Sequence, residues 1–130
     1  LIDLYGASRL DDLKHVERTL RRCAEVSGAS LRSVHLHTLN PSGGVAGVAV
    51  LEQSHISIHS WPGKGYAALD VFMSGDTRPE MCVDFLKRAF EAREAVVKSH
   101  RRGEETVAPM RRHAVEPRRR RATRLKAVAG

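Results

Sequence analysis

Gln53-Ser54-His55-Ile56-Ser57-Ile58-His59-Ser60-Trp61-Pro62, followed beyond Gly65 by Tyr66-Ala67-Ala68-Leu69-Asp70-Val71-Phe72, decides how the chain folds. From Ser54 to Ser60 polar and apolar residues alternate, the period-two pattern of a half-buried strand. His55, Ser57 and His59 therefore share one face, and Ile56 and Ile58 the other. Tyr66 to Met73 reads as the next strand, with Pro62-Gly63-Lys64-Gly65 as the hairpin loop between them. One face of this pair is suited to packing and the other to chemistry.

Working outward, Leu1 to Tyr5 reads as a strand, and Leu10, Leu13, Val16, Leu20 and Cys23 then recur at helical spacing until Gly28 closes the helix. Leu31 to Leu39 and Val45 to Leu51 read as strands around a turn at Asn40-Pro41-Ser42-Gly43-Gly44. Thr77-Arg78-Pro79-Glu80 has the form of a capping box, and Cys82, Phe85, Leu86, Ala89 and Phe90 mark the buried stripe of a second helix. Val96 to His100 is expected to return as a last strand. The order βαββββαβ predicts an α+β two-layer sandwich, an antiparallel sheet with helices on one face.

The chain has 130 residues, enough for one domain with a single core. Its net charge of +7 is unevenly spread: residues 1–100 carry 12 Lys or Arg against 12 Asp or Glu, and residues 101–130 carry 10 against 3. The domain is expected over 1–103, and 104–130 is expected to be a basic, disordered tail. That tail is read as a solvated extension rather than a nucleic-acid binder, since no aromatic residue follows Gly103 to stack on a base. Cys23 and Cys82 lack the spacing of a disulfide framework or metal site, which fits a reducing, cytoplasmic setting. No apolar run approaches the ~20 residues that span a bilayer, and no signal-peptide pattern is present. Leu1 opens inside an apolar strand pattern, which suggests that residues precede it. His35 and His37 are read as ordinary strand histidines because no third ligand is in pattern.

The Ser54 segment, together with Asp3-Leu4-Tyr5-Gly6, Gly44-Val45-Ala46-Gly47-Val48, Ser74-Gly75-Asp76 and Arg101-Arg102-Gly103, resembles the prokaryotic S-adenosylmethionine decarboxylases over roughly the first hundred residues. The resemblance implies that Ser54 attacks the carbonyl of Gln53, that the chain is cut there, and that Ser54 becomes a pyruvoyl group heading the fragment 54–130. A pyruvoyl carbonyl can condense with a substrate amine and accept the electrons released as carbon dioxide leaves, so the cofactor would come from the chain itself. His59 matches the family's acid-base residue for processing, a role suited to imidazole near neutral pH. Ser57 and His55 are read as hydrogen-bonding members of the sheet face. Trp61 is either core filler or an aromatic wall of the substrate pocket. The resemblance also implies a homodimer of cleaved protomers with the pocket at or near the interface, and a one-sided sheet has a face to cover.

Five positions depart from the family pattern. Gln53 stands for Glu before the processing serine, and Ala46 for a serine that assists processing. Ser74 stands for the family's proton-donating Cys; an aliphatic hydroxyl is far less acidic than a thiol of pKa ~8.5, so the donor would be water, another side chain, or Ser74 as a relay. Leu39 matches an aromatic residue, and Gly63 an acidic residue that contacts the ribose. The loss of those two substrate-binding contacts points to a decarboxylase in polyamine synthesis acting on L-ornithine or L-arginine, with Asp3, Glu52 and Asp70 as candidate carboxylates for the cationic end. S-adenosylmethionine decarboxylation proper is the alternative. A non-catalytic partner subunit that never cleaves is a reading of another class.

Overall fold

The computed structural model describes residues 1–103. Six strands, β1 (Ile2–Tyr5), β2 (Leu31–Leu39), β3 (Gly44–Leu51), β4 (His55–Trp61), β5 (Tyr66–Phe72) and β6 (Glu94–Val97), form one antiparallel sheet in the order β2-β3-β4-β5-β1-β6. Two helices, α1 (Leu13–Ser27) and α2 (Met81–Ala89), cover one face, giving the α+β two-layer sandwich expected from the pattern. Between the layers Val16, Leu20 and Cys23 of α1 and Cys82 and Leu86 of α2 meet Leu4, Val45, Ile56, Ile58 and Leu69 of the sheet, all essentially inaccessible to solvent. Among the described residues the other sheet face carries no helix. Among the described residues no helix is long and apolar enough to cross a membrane. The basic tail expected over 104–130 lies outside the described residues.

Local chemistry sets the element ends. Asp12 caps α1 by accepting from the His15 backbone N–H at 3.0 Å, and Gly28, at φ 78°, closes it with its own N–H on the Glu25 carbonyl. The helix therefore starts three residues after Leu10, which stays buried in the preceding loop. The capping box expected at Thr77 does not form. The Thr77 hydroxyl instead donates to the Ser74 carbonyl at 3.0 Å, and the Arg78 N–H is tied to Ser27 O at 2.8 Å. The Met81 and Cys82 N–H groups then bond to Arg78 O and Pro79 O, and α2 begins at Met81 with no side-chain cap. The last strand forms at Glu94–Val97 rather than Val96–His100, because the Arg93 N–H meets Tyr5 O at 2.9 Å directly after α2 and starts the ladder with β1 there.

Ser60 joins sheet to loop. It is buried on the helix side of β4, accepts from the Val45 N–H at 2.9 Å, and donates to the Leu10 carbonyl at 2.8 Å. Gly47 marks the tightest approach between β2 and β3: a Cβ there would lie 2.8 Å from Leu36 Cα and collide with the His35 carbonyl oxygen, neither of which can yield without breaking the ladder. Gly47→Ala is expected to lower unfolding free energy by about 1–3 kcal/mol. Urea titration of the Ser54→Ala protein with and without Gly47→Ala measures this, and a difference under about 0.5 kcal/mol, the size of an ordinary surface change, would contradict the packing described.

Candidate active site

Strand β4 distributes the chemical residues. Its pleat sends Ile56, Ile58 and Ser60 into the core, and leaves His55, Ser57, His59 and Trp61 on the helix-free face. Cross-strand register extends that face sideways. His59 stands opposite Ala46 on β3 and Ala68 on β5, while Ser57 stands opposite Val48 and Asp70. His55 lies 5.5 Å, centroid to centroid, from the Phe72 ring.

At the start of β4 the chain turns through Glu52 and Gln53, closed by the Leu51 N–H on Ser54 O at 3.0 Å. The turn is held from two further sides. The Glu52 N–H donates to Ser30 O at 2.9 Å, and Arg32 on β2 grips both carboxylate oxygens of Glu52, Nη2 to Oε1 at 2.6 Å and Nε to Oε2. That guanidinium holds the Glu52 carboxyl below its ordinary pKa. From the loop after β5 the Ser74 hydroxyl donates to the Gln53 carbonyl oxygen at 3.0 Å. Beside this carbonyl lies a cleft of about 140 Å3 lined by Gln53, Ser54, Ser74 and Thr77 together with Glu52 and residues 28–30.

This arrangement suits attack on one peptide bond. The Ser54 Oγ and the Gln53 carbonyl carbon belong to adjacent residues, so addition closes a five-membered ring and needs no approach of separate groups. Ser74 already donates to the oxygen on which negative charge would build. The residues present therefore fit a group generated from Ser54 by self-cleavage.

A second cluster occupies the far end of β4. Trp61, 41% exposed, stacks on Tyr66 of β5 at 5.1 Å and on His59 at 6.4 Å. Tyr66 stacks in turn on Tyr5 of β1 at 5.3 Å, and its hydroxyl donates to Asp3 Oδ1 at 2.7 Å. That bond to a carboxylate, with some burial, raises the Tyr66 pKa to about 12. Leu39, 40% exposed, ends β2 at the same end of the sheet, and Gly63 sits in the Pro62–Lys64 turn with nothing within 4 Å of where a Cβ would point.

The residues singled out from the sequence thus fall into two groups. Gln53, Ser54 and Ser74 meet at one end of β4; His59, Trp61, Leu39, Gly63 and Ala46 gather toward the other. At about 3.3 Å per residue, His59 lies roughly 16 Å along the strand from Ser54, beyond the reach of an imidazole in the same chain. Trp61 is not core filler, since its ring stands on the helix-free face. Of the carboxylates considered for a cationic substrate, Glu52 is already paired with Arg32 and Asp3 accepts from Tyr66, while Asp70 is exposed opposite Ser57. The Arg32 clamp and the Tyr66–Asp3 bond join residues 20 and 63 positions apart, and no local pattern signals either.

Comparison with known proteins bears on the family and the fold. The family model described as S-adenosylmethionine decarboxylase matches residues 1–103. The S-adenosylmethionine decarboxylase proenzyme of Carboxydothermus hydrogenoformans is 42% identical over 106 residues, covering 79% of this chain and 83% of that protein. The proenzyme of Thermomicrobium roseum is 38% identical over 104 residues, covering 79% and 90%. The crystal structure of the adenosylmethionine decarboxylase from Aquifex aeolicus superposes with a TM-score of 0.69 at 25% identity, covering 82% of this chain and 90% of that one. With a sandwich of the same fold, and a serine placed behind a carbonyl that a neighbouring hydroxyl already holds, the chain belongs to the S-adenosylmethionine decarboxylase family of pyruvoyl-dependent, self-cleaving proenzymes.

Proposed function

We propose that residues 1–103 form a decarboxylase domain that cleaves itself between Gln53 and Ser54, and that S-adenosylmethionine is its substrate, as the names of its relatives suggest. The observation that carries the self-cleavage is the Ser74 hydroxyl on the Gln53 carbonyl. Ser54 Oγ adds to that carbonyl carbon, the Gln53–Ser54 C–N bond breaks, and the Ser54 nitrogen leaves as a free amine. Loss of the Ser54 α-proton then expels the Gln53 carboxylate, and hydrolysis of the resulting enamine releases ammonia and leaves a ketone at residue 54. The ketone supplies the electron sink for loss of carbon dioxide. The turn closed by Leu51 and Ser54, with Arg32 on Glu52, keeps the scissile carbonyl facing Ser74 throughout.

Removal of the α-proton needs a base, and His59 of the same chain is too far along β4 to serve. A two-fold axis crossing the middle of β4 at right angles to the strand, above the helix-free face, would resolve this, because the Ser54 end of one β4 would then face the His59 end of the other. Each of two equivalent sites then takes Ser54 and Ser74 from one copy, and His59, Trp61 and Leu39 from its partner. The exposed Val50, Val96, Leu39 and Trp61 side chains give such a pair apolar surface to cover.

Leu39 and Gly63 favour a second reading of the substrate, L-ornithine or L-arginine. Gly63 itself has no side chain to contact a ribose and nothing lies within 4 Å of where a Cβ would point, and Leu39 offers no ring for a base to stack on. Competition among the three substrates separates the readings. If S-adenosylmethionine is the substrate, its kcat/KM exceeds that of both amino acids; the reverse order, moved back by Leu39→Phe with Gly63→Glu, would establish the second reading.

Ser74→Ala should slow cleavage by up to about 10²-fold, the effect of removing one donor from a developing oxyanion. Following the uncut chain by denaturing gel measures the rate, and maturation at the unaltered rate would remove Ser74 from the reaction. Co-expression tests the shared site. Ser54→Ala and His59→Ala chains are each expected to be inactive alone, while their mixture should recover one working site per mixed dimer. A mixture no more active than its components would exclude sites built across the interface.

A further inference from the structure

We infer that Tyr66 and Asp3 are positioning residues for the substrate pocket, holding the Trp61 ring in the plane in which it forms a wall beside His59. The inference rests on the reading above that Trp61 faces the substrate. Trp61 is a large ring on a sheet face that is open in the single chain, and no core of its own chain selects its rotamer before a partner covers it. Its orientation comes from its neighbours. The Tyr66 ring lies almost parallel to it, 19° between planes at 5.1 Å, and Tyr66 is itself fixed twice. Tyr5 stacks on its other side at 24°, and Asp3 accepts its hydroxyl at 2.7 Å in a charge-assisted hydrogen bond. Asp3, Tyr66, Trp61 and His59 thus form a continuous series across β1, β5 and β4, ending at the histidine.

The sheet does not need this bond for pairing. β1 and β5 are already joined in register at Ile2↔Leu69, Asp3↔Ala68 and Leu4↔Ala67, and Leu4 and Leu69 are buried beneath them. Tyr66 lies just beyond that ladder, so what its hydroxyl fixes is the ring rather than the strand. Because Asp3 raises its pKa to about 12, Tyr66 keeps the proton that makes the bond throughout the working pH range.

The chain has one tryptophan, so its emission reports on Trp61 alone. The test compares mature unaltered protein with Trp61→Phe, Tyr66→Phe and Asp3→Asn. It measures completeness of cleavage by mass, kcat and KM for whichever of S-adenosylmethionine, L-ornithine or L-arginine is turned over, and acrylamide quenching of the emission in the tryptophan-containing proteins. Tyr66→Phe and Asp3→Asn should cleave fully, hold kcat within about 2-fold, and raise KM by about 3- to 10-fold, the range of one net hydrogen bond. Both should leave Trp61 more open to quencher, and the double variant should be no worse than either single one because a single bond is lost. If Trp61→Phe raises KM while Tyr66→Phe and Asp3→Asn leave KM and quenching unchanged, the positioning role is wrong and the pocket reading stands. Unchanged KM in Trp61→Phe, or no turnover of any of the three substrates by the unaltered protein, removes the reading and the inference together. If both dyad variants fail to cleave or to fold, the bond is structural and the inference is overturned.

Discussion

The pleat of β4 is the constraint on which the rest of the structure depends. As an interior strand, paired on both sides, it cannot slip by one residue without sending His55, Ser57 and His59 into the core and Ile56 and Ile58 into solvent. Ile56 and Ile58 are fully buried under the helices, so the register is held by the hydrophobic effect acting on the face opposite the chemistry. Ser60 adds direction to that packing. With its oxygen between the Val45 N–H and the Leu10 carbonyl, it fixes β4 against both β3 and the loop that leads into α1.

A rigid interior strand also separates what it carries. Seven residues of extended chain keep the Gln53–Ser54 bond and its Ser74 donor at one end, and the His59–Trp61–Tyr66 series at the other. The nucleophile Ser54 and the base proposed for it, His59, thus stand at opposite ends. In the two-fold pair proposed above, both sites would be completed at once, which would give the helix-free face a chemical reason to be covered as well as an apolar one. The residues bracing each end differ accordingly. Arg32 and Glu52 hold a turn by charge at the surface, whereas Asp3 and Tyr66 hold a ring by one hydrogen bond and stacking.

Much of this was legible in the sequence because it is written in periodicity. Alternation in β4 named both faces, helical spacing found α1 and α2, and Gly28 ended α1 where a left-handed residue was needed. The errors lay where a long-range bond outcompeted a local signal. Thr77 reads as a cap, yet Arg78 is drawn to Ser27 O and delays α2 to Met81. The final strand starts earlier than its local pattern suggests because its register is set by the four residues of β1, far away in sequence. At the site, Ser54, Gln53 and His59 were visible as a motif, but a motif does not reveal that strand length parts its members. The bond from Ser74 to Gln53 O spans 21 residues and appears only once the sheet is closed.

The central claim is that this turn is built to break its own backbone, and the mass of freshly made protein tests it most directly. Followed over time at neutral pH, the full chain should give way to two fragments, residues 1–53 and residues 54–130, the second blocked at its N-terminus and reactive toward a carbonyl reagent. The Ser54→Ala protein, folded alike, should keep its single mass. A chain that stays whole after prolonged incubation, or a cut at any bond other than Gln53–Ser54, would contradict the account.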